Sequence, residues 1–211
     1  MENYKKNLEL LTKNHVYSKE MEHDACGVGV IVSTEGKKSR EVVKHGIEAL
    51  KAVWHRGAVD ADGKTGDGAG IHVEIPKDFF IEKIEVTGHD YDNSEICVGM
   101  IFLPRNDYSS QENCKTIVES ELTKNNFSIY GWRQVPVNPK VLGVKALQTM
   151  PEIIQVLFKS NDPNLLDKNL ERKIYETRKR IENKAFDASL NNFYICSISS
   201  KSIIYKGLYL A

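Results

Sequence analysis

The sequence has no excess of charge of either sign. Its 211 residues carry 29 Lys and Arg against 29 Asp and Glu, a formal net charge of zero. Nucleic acids and anionic membranes both require a concentrated basic surface, so neither is an expected partner. Long apolar runs are missing as well. None approaches the roughly 18 residues that span a bilayer. The opening stretch, MENYKKNLELLTKNHVYSKEMEHDA, contains no apolar block of the secretory kind. Cysteine is sparse: Cys26, Cys97, Cys114 and Cys196 form no C-x-x-C pair. Zinc and dithiol chemistry are therefore poorly supported. Few cysteines without a signal peptide fit a reducing cytoplasm. There is no G-x-x-x-x-G-K-[ST] phosphate loop and no G-x-S-x-G nucleophile elbow, and no His pair has metal-ligand spacing on one helix face. Internal repeats and low-complexity linkers are absent too.

What is there is a core. Hydrophobic residues make up 41% of the chain and charged residues 27%, as in a globular chain of one large domain or two small ones. The first 25 residues read as a short polar helix or an irregular leader. Gly27–Ser33 alternates small and β-branched residues and predicts a buried strand. Ser39 is placed to cap a helix, with Glu41 in its first turn. Val43, Ile47, Leu50 and Trp54 then recur at helical spacing, so that face is expected to be buried, and Gly57 can end the helix. Ile71–Ile75 alternates as a strand closed by Pro76. Glu95–Leu103 (EICVGMIFL) and Glu152–Phe158 read as further strands, and Tyr130–Val137 as extended. Gln111–Thr123 and Leu170–Ala185 read as helices. The second has Leu170, Ile174, Arg178 and Ile181 in line, and its charges form a solvated face. Phe193–Ile198 and Ser202–Tyr205 read as a strand pair. Mixed two-residue and helical periodicities predict an α+β layered fold.

Chemistry centres on Cys26. A free cysteine is ordinarily a small buried hydrophobe. Cys26, however, stands at the mouth of an apolar run, between Ala25 and Gly27, behind a polar leader. If the Ala25–Cys26 bond were cut, the new α-amine would titrate near about 7.7–8.0 and the thiol near about 8.5. One residue could then serve as both nucleophile and base. The run from Trp54 to Ile71, WHRGAVDADGKTGDGAGI, holds Arg56 beside Gly57 and three closely spaced glycines that permit a tight turn and close backbone approach. Arg56 can also be read as a helix-terminal charge. The scattered histidines, His23, His45, His55 and His72, each read as surface or satisfied residues.

The blocks C26-G-V-G-V-I, K44-H-G-I-E-A-L-K-A-V-W-H-R-G-A, T65-G-D-G-A-G-I and I75-P-K-D-F-F, followed by G131-W-R-Q-V-P-V, L170-E-R-K-I-Y-E-T-R-K and F193-Y-I-C-S-I-S-S, resemble in order the amidotransferase domain of the glutamate synthase large subunit. The resemblance runs from about Glu22 to the end of the chain. It implies a class II glutamine amidotransferase, an N-terminal-nucleophile hydrolase with an αββα sandwich fold. It implies a propeptide, Met1–Ala25, removed at the Ala25–Cys26 junction, with residues 26–211 forming the N-terminal part of the domain. Cys26 would attack the side-chain amide of L-glutamine and form a γ-glutamyl thioester, with its own α-amine as base and Arg56 and Gly57 in support. Ammonia would pass to a synthase site in the remainder of the large subunit, where glutamate forms from 2-oxoglutarate. The cofactors implied there, and not in this segment, are FMN and an iron–sulfur cluster, with NAD(P)H or ferredoxin as electron source and a small electron-transfer subunit as a further partner. No metal is implied for this segment.

The family's H-S-R-F-S-T-N-T-like and H-N-G-E-I-N-like blocks do not occur before Ala211. The expectation is therefore an N-terminal fragment, with the sandwich incomplete at its C-terminus and the isolated chain inactive. Two alternatives stay open. One is a truncated, inactive module that keeps the fold and binds a partner synthase chain. The other is an N-terminal-nucleophile hydrolase acting on a different amide.

Overall fold

The computed structural model describes residues 2–14, 27–54, 57–208 and 210. Strand β2, Cys97–Leu103, is apolar along its whole length, and the reason is its position. It lies inside a four-stranded sheet of order β3–β4–β2–β5, where β3 is Phe127–Gln134, β4 is Glu152–Ser160 and β5 is Tyr194–Ser199. Each neighbouring pair is antiparallel. Successive side chains of β2 point to opposite faces. Cys97, Ile101 and Leu103 enter one core, and Val98 and Met100 enter another.

The first core is closed by two helices. α4, Tyr108–Lys124, begins at Asp107, whose carboxylate accepts from Ser110 N at 3.0 Å. It buries Cys114, Val118 and Leu122 on one side. α6, Asp167–Asp187, buries Leu170, Ile174, Ile181 and Ala185, the line expected from the sequence. Arg178 belongs to that line because its guanidinium donates to Ile195 O at 2.8 Å, tying the helix to the sheet. The rest of the helix is largely solvated, with exposed pairs such as Arg172–Glu176.

The second core lies beneath a two-stranded antiparallel sheet, β1 (Ala69–Glu74) with β6 (Ser202–Gly207), and helix α3 (Lys77–Val86). No element is expected from the sequence over α3, because its apolar residues spread around the helix. Phe80 and Ile84 are buried, while Phe79 and Ile81 are only partly covered. α1 (Glu2–Asn14) is a largely exposed helix, α2 (Arg40–Ala52) packs on β1, and α5 (Val144–Gln148) is a short turn between β3 and β4. Among the described residues, no helix is long and apolar enough to cross a membrane.

Three expectations are corrected. Gly27–Ser33 is not a buried strand: it has no regular structure, and Val28, Val30 and Val32 are 88%, 80% and 72% exposed. β-Branched alternation describes a surface that fits a sheet, and among the described residues no strand pairs with this segment. In α2 Ser39 caps as expected, accepting from Val42 N at 3.4 Å. Its apolar face is only half-buried, however, and Trp54 is 64% exposed. Finally, β5 and β6 follow one another but do not form a ladder: β5 pairs with β2 and β6 with β1. The turn between them crosses from sheet to sheet. Glu171 of α6 holds it, accepting from Ser199 Oγ at 2.9 Å, Ser200 N at 2.7 Å and Ser200 Oγ at 2.8 Å.

Candidate active site

Between α2 and β1 the chain makes a small hairpin. Gly57 N donates to Trp54 O at 3.1 Å, and Asp67 N donates to Ala58 O at 3.3 Å. Val59 and Gly66 form an antiparallel bridge, and Asp60 N donates to Thr65 O at 2.9 Å. Asp62 closes the tip by accepting from Lys64 N at 2.9 Å, Thr65 N at 2.7 Å and Thr65 Oγ1 at 2.6 Å. These donors, the Thr65 hydroxyl foremost, hold its carboxyl well below the usual carboxylate range. Asp60 accepts from Lys145 Nζ at 2.6 Å, and this contact lowers the Asp60 pKa and raises that of Lys145.

The hairpin's base reaches a cleft. A Cβ placed on Gly57 would sit 3.1 Å from Asp67 Oδ1. Asp67 and Gly68 in turn line an open cleft of about 1510 Å³, whose apolar lining includes Met100, Phe102, Val135 and Ile153. The glycines after the hairpin do what the sequence suggests. Gly68 has φ +122°, and a Cβ on Gly70 would lie 2.9 Å from Tyr205 O across the β1–β6 pair. At the rim, Lys206 Nζ donates to Tyr194 OH at 2.7 Å.

Of the residues singled out in the sequence, Gly57 stands at the hairpin base, while Ala25, Cys26 and Arg56 lie outside the described residues. Cys97, Cys114 and Cys196 are free thiols, buried as core residues. Burial raises all three, with Cys114 pushed up to about 11. His72 is exposed on β1, and His45 faces Glu48 at 3.3 Å. These thiols lie on three different elements, and no group of three or more His, Cys, Asp or Glu among the described residues could hold a metal ion. An iron–sulfur cluster does not fit them. The sequence reading missed Asp60, Asp62, Thr65 and their partners Gly143 and Lys145. The run from Trp54 to Ile71 is read there only for Arg56, Gly57 and its glycines, and Thr65 only as part of the T65-G-D-G-A-G-I block.

The described residues thus form a mixed α/β fold with antiparallel sheets and an open cleft bordered by a glycine-bearing hairpin. The family described as "Glutamine amidotransferases class-II" matches residues 26–211, and the chain belongs to it. It is 51% identical over 208 residues to the glutamate synthase (NADPH) large chain of Azospirillum brasilense, covering 99% of this chain and 14% of that protein. It is 40% identical over 189 residues to ferredoxin-dependent glutamate synthase 1, chloroplastic/mitochondrial, of Arabidopsis thaliana, covering 89% of this chain and 12% of that protein. With the ferredoxin-dependent glutamate synthase of Pyropia yezoensis the identity is 37% over 204 residues, covering 94% and 13%. The chain thus spans about one seventh, 14%, of the length of the first of these relatives and less of the other two.

Proposed function

We propose that this chain is the glutamine-hydrolysing part of a glutamate synthase, and that Cys26 is its nucleophile. The observation that carries this reading is the family match, which begins at Cys26 itself and runs to residue 211. Residues 1–25 are then a propeptide whose removal frees the Cys26 α-amine. That amine takes the thiol proton, and the thiolate attacks the γ-amide carbon of L-glutamine. The amine returns the proton to the departing nitrogen, and ammonia leaves. Water then hydrolyses the γ-glutamyl thioester to glutamate and the free thiol. In this reading Arg56 and Gly57 support the nucleophile. Gly57 lies next to Asp67, which lines the cleft.

The fold we propose is the αββα sandwich of N-terminal-nucleophile hydrolases. It is supported by α4 and α6 on one face of the four-stranded sheet and β1–β6 on the other. Residues 26–211 are the N-terminal part of that domain, and the remainder of the large subunit supplies the rest. The synthase site for 2-oxoglutarate, with FMN and an iron–sulfur cluster for the reductive step, belongs to that remainder. NAD(P)H or ferredoxin would supply the electrons, with a small subunit to deliver them. A cytoplasmic setting agrees with the three described free thiols.

The test uses the whole polypeptide that contains this chain. N-terminal sequencing should find Cys26 first, and Cys26→Ala should abolish glutamine hydrolysis. A stable product that starts at Met1 yet hydrolyses glutamine, or hydrolysis that survives Cys26→Ala, would refute the reading.

A further inference from the structure

The hairpin between Gly57 and Asp67 has little burial of its own. Gly57, Ala58 and Val59 are exposed, as are Ala61 to Lys64, while Thr65 and Gly66 are buried. A loop with so few covered contacts belongs to the least stable part of a fold unless something ties it down. Its tip is tied to the turn that opens α5. Asp60 meets Lys145 Nζ at 2.6 Å, 85 residues away in sequence. At Gly143 the two backbones come so close that a Cβ would fall on Thr65 Oγ1 and Asp62 Oδ2 and 2.5 Å from Thr65 N. Only glycine fits there, even though its φ of −75° is open to any residue. The same turn borders the cleft on its other side, through Leu142, Ala146 and Leu147.

We propose that docking of the hairpin tip, Asp60, Asp62 and Thr65, on the Gly143–Lys145 turn is a positioning device for glutamine hydrolysis, fixing Gly57 against Asp67 at the edge of the cleft. The inference rests on the glutaminase reading, in which Arg56 and Gly57 support the Cys26 nucleophile. Gly143 and Lys145 are assigned here as positioning residues. They act through the hairpin, because a two-stranded ribbon held at its tip has its base held too. An ion pair at one corner and a backbone contact at the other fix both its height and its rotation. A displacement of about 1 Å at a reacting group can cost about 10²-fold in rate, so a small shift of the tip is enough.

The experiment compares the whole polypeptide with its Gly143→Ala, Lys145→Met and Lys145→Arg variants. It measures steady-state glutamine hydrolysis and amide exchange. Gly143→Ala should lower kcat by about tenfold to a hundredfold while glutamine KM moves less than about threefold. Amides of residues 57–68 should exchange faster, and those of β2 should keep their protection. Lys145→Met should lower kcat by about threefold to tenfold, with Lys145→Arg recovering to within about twofold. Faster exchange at 57–68 with kcat unmoved would overturn the inference. So would loss of protection in β2 alongside lost turnover, which would make the contact merely structural. A parent polypeptide that hydrolyses no glutamine overturns the glutaminase reading and this inference with it. A parent that does, with kinetics unmoved in all three variants, overturns this inference alone.

Discussion

Thiol reactivity should separate Cys26 from the other cysteines by a margin that the structure sets. A cysteine reacts as its thiolate, so reactivity follows pKa and access. Cys97, Cys114 and Cys196 are buried, and burial raises each of them, Cys114 to about 11. At pH 8 a thiol at about 11 is ionised to about one part in 10³, whereas one at the ordinary value of about 8.5 is about one quarter ionised. The ratio is about 200-fold before exclusion of the reagent by the core is counted. The assay is timed iodoacetamide labelling of the native whole polypeptide at pH 8, read by peptide mass mapping. Cys26 should be alkylated first, Cys114 at least about 10²-fold more slowly, and Cys97 and Cys196 more slowly than Cys26 as well. From pH 7 to 9 the rate at an ordinary thiol approaches its plateau, while that at Cys114 should still climb about tenfold per pH unit. In denaturant all four should react alike. Alkylation of Cys114 within about tenfold of Cys26, with the amides of β2 still protected, would refute the reasoning.

Arg56→Ala should lower glutamine turnover more than it lowers the melting temperature; turnover within about twofold of the parent, a change under roughly 0.5 kcal/mol, would make Arg56 an ordinary helix-end charge. Phe158 is fully buried and meets Phe127 edge-to-face at 5.3 Å. Its replacement by Ala should cost about 3–5 kcal/mol in urea unfolding, and a loss below about 1 kcal/mol would contradict the packing. Asp92 is paired with Lys159 and also accepts from Ser94 N and Tyr130 OH, which together hold it below the usual carboxylate range. A depressed carboxylate contributes stability that is present above its unfolded value of about 3.9 and lost as pH falls toward the folded value. Asp92→Asn should therefore flatten the decline in stability below about pH 4, modestly because the site is half-exposed, and an unchanged slope would count against the pair.

Local sequence determined the elements that carry their own periodicity. The unbroken apolar run of β2 follows from burial on both faces, and the line Leu170–Ile174–Ile181 follows from one buried stripe on α6. Ser39 announces the start of α2 because a cap needs only a residue three positions away. The ordered blocks beginning at Cys26 were enough to indicate the family, since they depend on residue identity and not on packing. Tertiary structure decided the rest. Gly27–Ser33 carries the same β-branched alternation as a strand, yet lies exposed for want of a described partner. β5 and β6 look like a hairpin, yet each is claimed by a different sheet. The contacts of Asp60, Asp62 and Thr65 with Gly143 and Lys145 join segments about 80 residues apart. Periodicity records which face of an element is buried. It does not record what buries it, because strand pairing and backbone contact are settled between segments whose local sequences carry no mark of each other.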